Sequence, residues 1–183
     1  MPDFADLYDQ LELPQCHCLN ESSEHTIRHC LDPGPGFLES DADEELLLTI
    51  KFMQAVKVSG IVVEAAVGDN GGPDVDTAPT SLKLFKNKVG LDFDSAKSDK
   101  PTEEVALSAS DVKSGAKKEL RFVNFQGVQE LSIFIGANHG DGEVTRVGRV
   151  TVLGELVVQS GLKRTEEQQK AATAGDWGSS PKM

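Results

Sequence analysis

The sequence contains few aromatic residues and few cysteines. Of its 183 residues, 5% are aromatic, with a single Trp and a single Tyr, and there are three cysteines. The core must therefore be built from aliphatic side chains and Phe. An odd number of cysteines without a secretory signal argues against a disulfide framework. These shortages exclude small disulfide-stapled domains and leave few rings for stacking on sugars.

Long apolar runs are also absent. No stretch approaches the roughly 20 apolar residues that span a bilayer. Residues 1–14 are acidic from Asp3 onward and have neither the positive start nor the apolar stretch of a secretory signal. We therefore expect no membrane span, and a cytoplasmic location that extends to the nucleus.

Basic residues are scarce in the first quarter of the chain. Residues 1–45 contain twelve acids and only one base, Arg28, whereas residues 46–183 contain 18 acids and 17 bases. The net charge of -12 is thus concentrated in the first quarter. Such a chain should repel polyphosphate, so a general nucleic-acid binder is excluded.

An acidic run precedes the first strongly apolar segment. We predict that it forms a solvated surface for a basic partner, with five contributors: Glu39, Asp41, Asp43, Glu44 and Glu45. Plain solubility is the alternative interpretation. The alternation of acids resembles the start of a calcium loop, but Leu46 stands where an EF-hand needs Gly.

Three of the four histidines lie close to all three cysteines, in the order Cys16, His17, Cys18, His25, His29 and Cys30. Structural zinc sites use tetrahedral donor sets, usually from paired knuckles with two to four residues between ligands. This spacing matches no standard knuckle. We interpret these residues as reduced thiols and surface imidazoles, and we expect no metal or cofactor.

Catalytic signatures are missing. The sequence has no G-x-S-x-G, no phosphate-cradling glycine loop with Lys-Ser or Lys-Thr, and no H-E-x-x-H. His139 stands in an Asn-His-Gly-Asp-Gly cluster that a turn requires anyway. The sequence therefore predicts a protein that is not an enzyme.

From residue 46 onward the pattern predicts β-structure. The candidate strands are 46–52, 56–67, 81–86, 91–93, 119–125, 130–136 and 144–158, the last broken near Gly148 or Gly154. Since no helical period separates them, an all-β antiparallel sandwich of jelly-roll type is expected. Loops are predicted at 32–37 and 68–79. Upstream, the spacing of Phe4, Leu7, Tyr8 and Leu11 predicts a brief amphipathic helix that ends before Pro14.

The ends of the chain differ from its middle. We divide it into an acidic lead-in at 1–15, a sandwich at 16–160, and a polar tail at 161–183 that is predicted to be mobile because it lacks an apolar stripe. The tail carries the only tryptophan, Trp177. A lone aromatic residue in a polar tail is either incidental or a docking anchor, and the enrichment of Trp where partners bind makes Trp177 a candidate partner-binding residue.

Several segments resemble a known family when read in order. They are 18–22 (CLNES), 38–44 (LESDADE), 83–87 (KLFKN), 91–94 (LDFD), 120–128 (LRFVNFQGV), 131–135 (LSIFI), Asn138 and 144–147 (VTRV). This series resembles the PITH domain, the proteasome-interacting domain that occurs at the C-terminus of thioredoxin-like proteins and as a stand-alone protein.

The resemblance implies a jelly-roll β-sandwich similar to galactose-binding-like domains. It also implies a non-catalytic module that associates with the proteasome regulatory particle. No Cys-x-x-Cys is present, so the stand-alone type without redox activity is expected, with a monomer favoured. The alternative function is a jelly-roll domain that binds a carbohydrate or another small molecule.

Overall fold

The computed structural model describes residues 4–157, and they form a mostly antiparallel β-structure. Within this range the strands are β1 (Ala5–Asp6), β2 (His17–Leu19), β3 (Leu38–Glu39), β4 (Leu46–Glu64), β5 (Ser81–Lys86), β6 (Glu103–Ala106), β7 (Lys117–Glu119), β8 (Val128–Ile135), β9 (Arg146–Val147) and β10 (Arg149–Leu156). Three short helices accompany them: α1 (Ile27–Leu31), α2 (Phe93–Ser98) and α3 (Ala109–Ser114). The predicted all-β class is confirmed. No helix among residues 4–157 is long and apolar enough to cross a bilayer.

The long strand β4 joins the two layers of the sandwich. Its first half pairs with β2 and β8, and its second half pairs with β10 and β7. The pairing with β8 is interrupted between Lys51 and Val56. The main sheet runs in the order β1-β10-β4-β8-β5-β6, and β3 and β9 form a separate pair. Because β4 takes part in both layers, the sheet curls and encloses one core.

A bulge keeps both halves of β4 apolar toward this core. Gly154 lies opposite Val58, whereas Leu153 lies opposite Gly60, so Ser59 is an extra residue with no partner in the β4–β10 register. A single extra residue reverses which side chains face inward. Accordingly the side chains of Val58 and Ile61, which are three positions apart, are both buried in the core.

A smaller apolar cluster covers the outer face of the first layer. It consists of Leu47, Phe85, Ala96 and Phe134, with Ala96 contributed by α2. The N-terminus of α2 is capped by Asp92, whose side chain accepts a hydrogen bond from the Ser95 N–H. Both faces of β8 are therefore covered near Phe134.

The helix predicted in the first residues is wrong. That segment forms β1 and two 3₁₀ turns, Tyr8–Gln10 and Leu13–Gln15. Leu7 and Leu11 are buried in the main core, and the Leu7 N–H donates to the Val152 carbonyl at 2.9 Å. A helix this short is only marginally stable, so the segment instead forms hydrogen bonds to the sheet. Residues 4–15 therefore pack into the same core as the sandwich.

Two predicted strands are also wrong. Residues 119–125 contribute only the end of β7, followed by a 3₁₀ turn at Phe122–Asn124, and residues 91–93 lead into α2. Such short runs cannot distinguish a strand from a capped helix start. The break at Gly148 is confirmed, since it separates β9 from β10.

Candidate functional site

The predicted acidic surface lies where several loops meet at one end of the sandwich. Residues 39–45, which we call the acidic loop, run from the end of β3 to the start of β4. Isolated bridges connect Glu21 to Ser40 and Pro79 to Asn138. The acidic loop therefore contacts the segment after β2, and because the Ser40 N–H donates to the Thr145 carbonyl at 2.9 Å, it also contacts the segment that follows the turn after β8.

Asn20 fixes one side of the acidic loop. Its Nδ2 donates to the Asp43 carboxylate at 2.8 Å and to the Glu45 carbonyl at 2.7 Å, while its Oδ1 accepts from the Ala42 N–H at 3.0 Å. The backbone of Asn20 has φ 68°, a left-handed conformation that Asn tolerates better than most residues. One side chain thus determines much of the loop's shape.

Thr145 and Asn138 hold the other side. The Thr145 N–H donates to the Ser40 hydroxyl at 2.9 Å, and the Thr145 hydroxyl donates to the Glu44 carbonyl at 2.7 Å. The buried Asn138 exchanges hydrogen bonds with the backbone of Gly142. The predicted turn at 138–142 is confirmed, and it supports the acidic loop through these buried polar groups.

Two acids of the loop are paired with cations. The Glu39 carboxylate lies 2.6 Å from Arg146 Nε, and the Glu45 carboxylate lies 2.8 Å from Lys97 Nζ. The hydrogen bond to Glu45 raises the pKa of Lys97. These two acids therefore orient neighbouring elements, β9 and α2, in addition to carrying charge.

The remaining acids of the loop differ in how they are engaged. Asp43 is held by Asn20 and also accepts from the Glu45 N–H at 3.0 Å. Asp41 is exposed and Glu44 is half-buried, and neither forms an ion pair with any residue between 4 and 157. Asp41, Asp43 and Glu44 thus carry negative charge that no ion pair balances within residues 4–157, and of these three Asp43 is held by hydrogen bonds whereas the carboxylates of Asp41 and Glu44 make none there. All five predicted acids lie in one loop, but their surroundings are unequal.

Arg146 is fixed by an aromatic ring as well as by acids. Its guanidinium lies 5.3 Å from the centre of the Phe37 ring, and Phe37 stacks on His25 at 4.1 Å. Asp74 lies 3.8 Å from the Arg146 guanidinium. A cation held over a ring and between carboxylates is strongly restrained, so the base of the acidic loop is rigid.

The residues weighed for zinc are divided between core and surface. Cys16, Cys18 and Cys30 are free and buried, while His17 is exposed because side chains alternate along β2. Burial raises the pKa of both the Cys18 and the Cys30 thiols, which disfavours the thiolate that binds metal. Residues 4–157 contain no group of three or more His, Cys, Asp or Glu side chains placed to hold a metal ion.

Sequence reasoning missed the residues that shape the site. Asn20, Asn138 and Arg146 lie in segments that carry the family resemblance, but nothing in their spacing shows that they converge. Lys97 gave no signal, because it lies in the polar stretch 94–102, whose sequence shows no apolar period. The predicted anchor Trp177 and the predicted tail at 161–183 lie outside the described residues.

Comparison with known families assigns the chain. The PITH domain model matches residues 1–172. The chain belongs to the PITH domain family. Among curated relatives of this PITH chain, thioredoxin-like protein 1 of Schizosaccharomyces pombe is 36% identical over 162 residues. That match covers 86% of this chain and 53% of the relative, so the chain spans about half of that protein's length. Human PITH domain-containing protein 1 is 33% identical over 155 residues, covering 81% of this chain and 69% of that protein.

Solved structures show the same fold at low sequence identity. The family 32 CBM from C. perfringens NanJ, solved in complex with galactose, superposes with a TM-score of 0.59 at 12% identity. The match covers 82% of this PITH chain and 98% of that domain. The predicted likeness to galactose-binding-like domains is therefore confirmed at the level of the fold.

Proposed function

We propose that this PITH chain is a non-catalytic interaction module that associates with the proteasome regulatory particle in the cytoplasm and nucleus. The observation that carries the proposal is the acidic loop, whose backbone is fixed by Asn20 and Thr145 while Asp41 and Glu44 present unpaired charge to solvent. The resemblance to a proteasome-interacting domain supplies the identity of the partner.

A fixed loop suits this role physically. Ordering a loop on binding costs free energy, so a loop that is already ordered binds with a smaller penalty. Charges at the rim of an interface accelerate encounter and select partners more than they add affinity. Asp41 and Glu44 would thus steer a basic surface of the regulatory particle toward this end of the sandwich.

The chemistry of the thiols supports a role without redox catalysis. Burial raises the pKa of Cys16, Cys18 and Cys30, whereas a reactive cysteine needs a lowered pKa and some exposure. The human relative is named only as a domain-containing protein, without an enzymatic name.

The test is capture of purified regulatory particle by a charge-neutralised variant. Asp41→Asn with Glu44→Gln should reduce capture at low salt, and the difference should shrink at high salt because rim charges are screened. The matched control is Glu104→Gln with Glu119→Gln, since both acids are exposed and lie outside the acidic loop. Equal capture by the wild type and the loop variant at both salt concentrations would contradict the proposal.

Carbohydrate binding is the second candidate function. It is favoured by the fold alone, since the superposed CBM was solved with galactose. Phe122 is an exposed aromatic on which a sugar face could stack, with 54% of its surface accessible. A glycan array probed with the wild type and with Phe122→Ser tests it: galactose-type binding that the substitution abolishes would support this function, and an array without binding would exclude it.

A further inference from the structure

A groove lies beside the second half of β4, away from the acidic loop. It is lined by Phe4, Lys57, Ser59, Phe122 and Glu155, and its volume is about 370 Å³. This volume falls within the roughly 300–1,000 Å³ range of ligand pockets. The groove can therefore accommodate a side chain as large as an indole.

The 3₁₀ turn at one wall exposes apolar surface that folding does not require. Phe122 is 54% exposed and Val123 is 66% exposed. The same turn is firmly anchored, because Phe125 is fully buried and the Gln126 side-chain amide donates to the Phe122 carbonyl at 2.8 Å. An ordered turn that presents two apolar side chains to solvent is typical of a docking surface.

The rim of the groove specifies the chemistry of its occupant. Lys117 Nζ lies 5.4 Å from the centre of the Phe4 ring, and Lys57 pairs with Glu155 at 3.6 Å. Arg121 beside the turn is exposed. An aromatic side chain would fill the apolar floor, the Glu155 carboxylate would accept a hydrogen bond from an indole N–H, and an adjacent acid would face Lys117.

The chain itself carries such a group. The described residues end at Val157, whose N–H donates to the Ala55 carbonyl at 3.2 Å, and Glu155 lines the groove two residues earlier. The described part of the chain therefore ends close to the groove, and the sequence that follows it contains the only tryptophan, Trp177, directly after Asp176. About 20 residues span up to roughly 65 Å when extended, so Trp177 can return to the groove.

We propose that Trp177 docks into the groove between Phe4 and Phe122, with Asp176 beside Lys117. Intramolecular docking benefits from a high effective concentration, so modest contacts suffice. The docked Trp177 would cover Phe122 and would be bound within its own chain. This inference goes beyond the proposed association with the regulatory particle, because the acidic loop lies elsewhere and either proposal can fail alone.

The sole tryptophan makes the test direct. In the full chain, Trp177 emission should be blue-shifted and less quenched by acrylamide than in the same chain unfolded in concentrated urea. Phe122→Ser should shift the emission back toward the unfolded position and increase quenching. The matched control is Met53→Ser, because Met53 is another exposed apolar residue, at 60%, and lines a different pocket. Circular dichroism verifies that both variants are folded.

Each other occupant gives a distinct result that overturns the proposal. Emission equal to that of the unfolded chain, or emission unaffected by Phe122→Ser, would show that Trp177 does not dock there. If Trp177 is protected from acrylamide only at high protein concentration and loses that protection on dilution, the groove binds a second copy of the chain. If Trp177 is protected from acrylamide only when regulatory particle is added, Trp177 binds that partner and not the groove of its own chain.

Discussion

Removal of the Asn20 side chain should loosen the acidic loop more than any comparable change in an exposed loop. Asn20→Gly removes the hydrogen bonds to Asp43, to the Glu45 carbonyl and from the Ala42 N–H. Each contributes about 0.5–1.5 kcal/mol in net terms. Because glycine adopts the left-handed conformation freely, this substitution isolates the hydrogen bonds, and we expect the free energy of unfolding to fall by about 2–3 kcal/mol.

A second substitution at the same position isolates the backbone. Asn20→Ala loses the same hydrogen bonds. It also places at φ 68° a residue that has a Cβ but no polar side chain to form local hydrogen bonds. The left-handed conformation costs about 1–2 kcal/mol for such a residue. Asn20→Ala should therefore be less stable than Asn20→Gly by about 1 kcal/mol.

Urea unfolding followed by circular dichroism measures both effects, with the m-value checked for constancy. The matched control is Asn70→Gly, since the Asn70 side chain makes one hydrogen bond, to the Gly72 N–H at 2.9 Å, and should cost about 1 kcal/mol. If Asn20→Gly lowers the free energy of unfolding by no more than Asn70→Gly does, the Asn20 side chain does not organise the acidic loop. If Asn20→Ala and Asn20→Gly have equal free energies of unfolding, the left-handed backbone conformation at position 20 carries no penalty and the argument from it is wrong.

Two further predictions concern the bulge and one carboxyl group. Gly154→Ala would place a Cβ in steric conflict with the Lys57 carbonyl oxygen and should reduce the free energy of unfolding by about 3 kcal/mol. The control Gly142→Ala, with open space around the new Cβ, should change that free energy by less than about 0.5 kcal/mol. Equal urea midpoints for the two variants would refute the close approach of β4 and β10. The hydrogen bond from Lys118 is the largest cause that lowers the pKa of Asp111 to about 2, so this group contributes stability above its ordinary pKa of 3.8 that is lost as the pH falls toward 2. The stability difference between the wild type and Asp111→Asn should therefore shrink over that range in pH-dependent unfolding, and a difference independent of pH would contradict the assignment.

The fold class was predictable because strand patterns depend on local sequence. Alternating and β-branched runs such as 81–86 and 130–136 become β5 and β8. The break expected near Gly148 or Gly154 lies at Gly148, which separates β9 from β10, while Gly154 lies at a bulge within β10. What failed were short segments, such as 91–93 and the first residues, whose few side chains fit helix, turn or strand equally well.

The candidate site was predictable only in its charge. The acidic run indicated a charged loop, but five acids within seven residues do not show that Glu39 and Glu45 are paired while Asp41 and Glu44 are not. That distinction depends on Arg146 and on the placement of α2. In the same way, the expected strand at 119–125 concealed the exposed Phe122, since exposure depends on which neighbours the fold supplies.

By itself, the sequence determined that this chain forms an aliphatic β-structure with its negative charge gathered in the first quarter, because composition and alternation are local properties. Only the tertiary structure decided that β4 belongs to both layers and that Asn20, Asn138 and Arg146 converge on the acidic loop. These contacts join residues that are far apart along the chain. Which distant groups meet is fixed by strand register and packing, and these come from the whole fold rather than from any one segment.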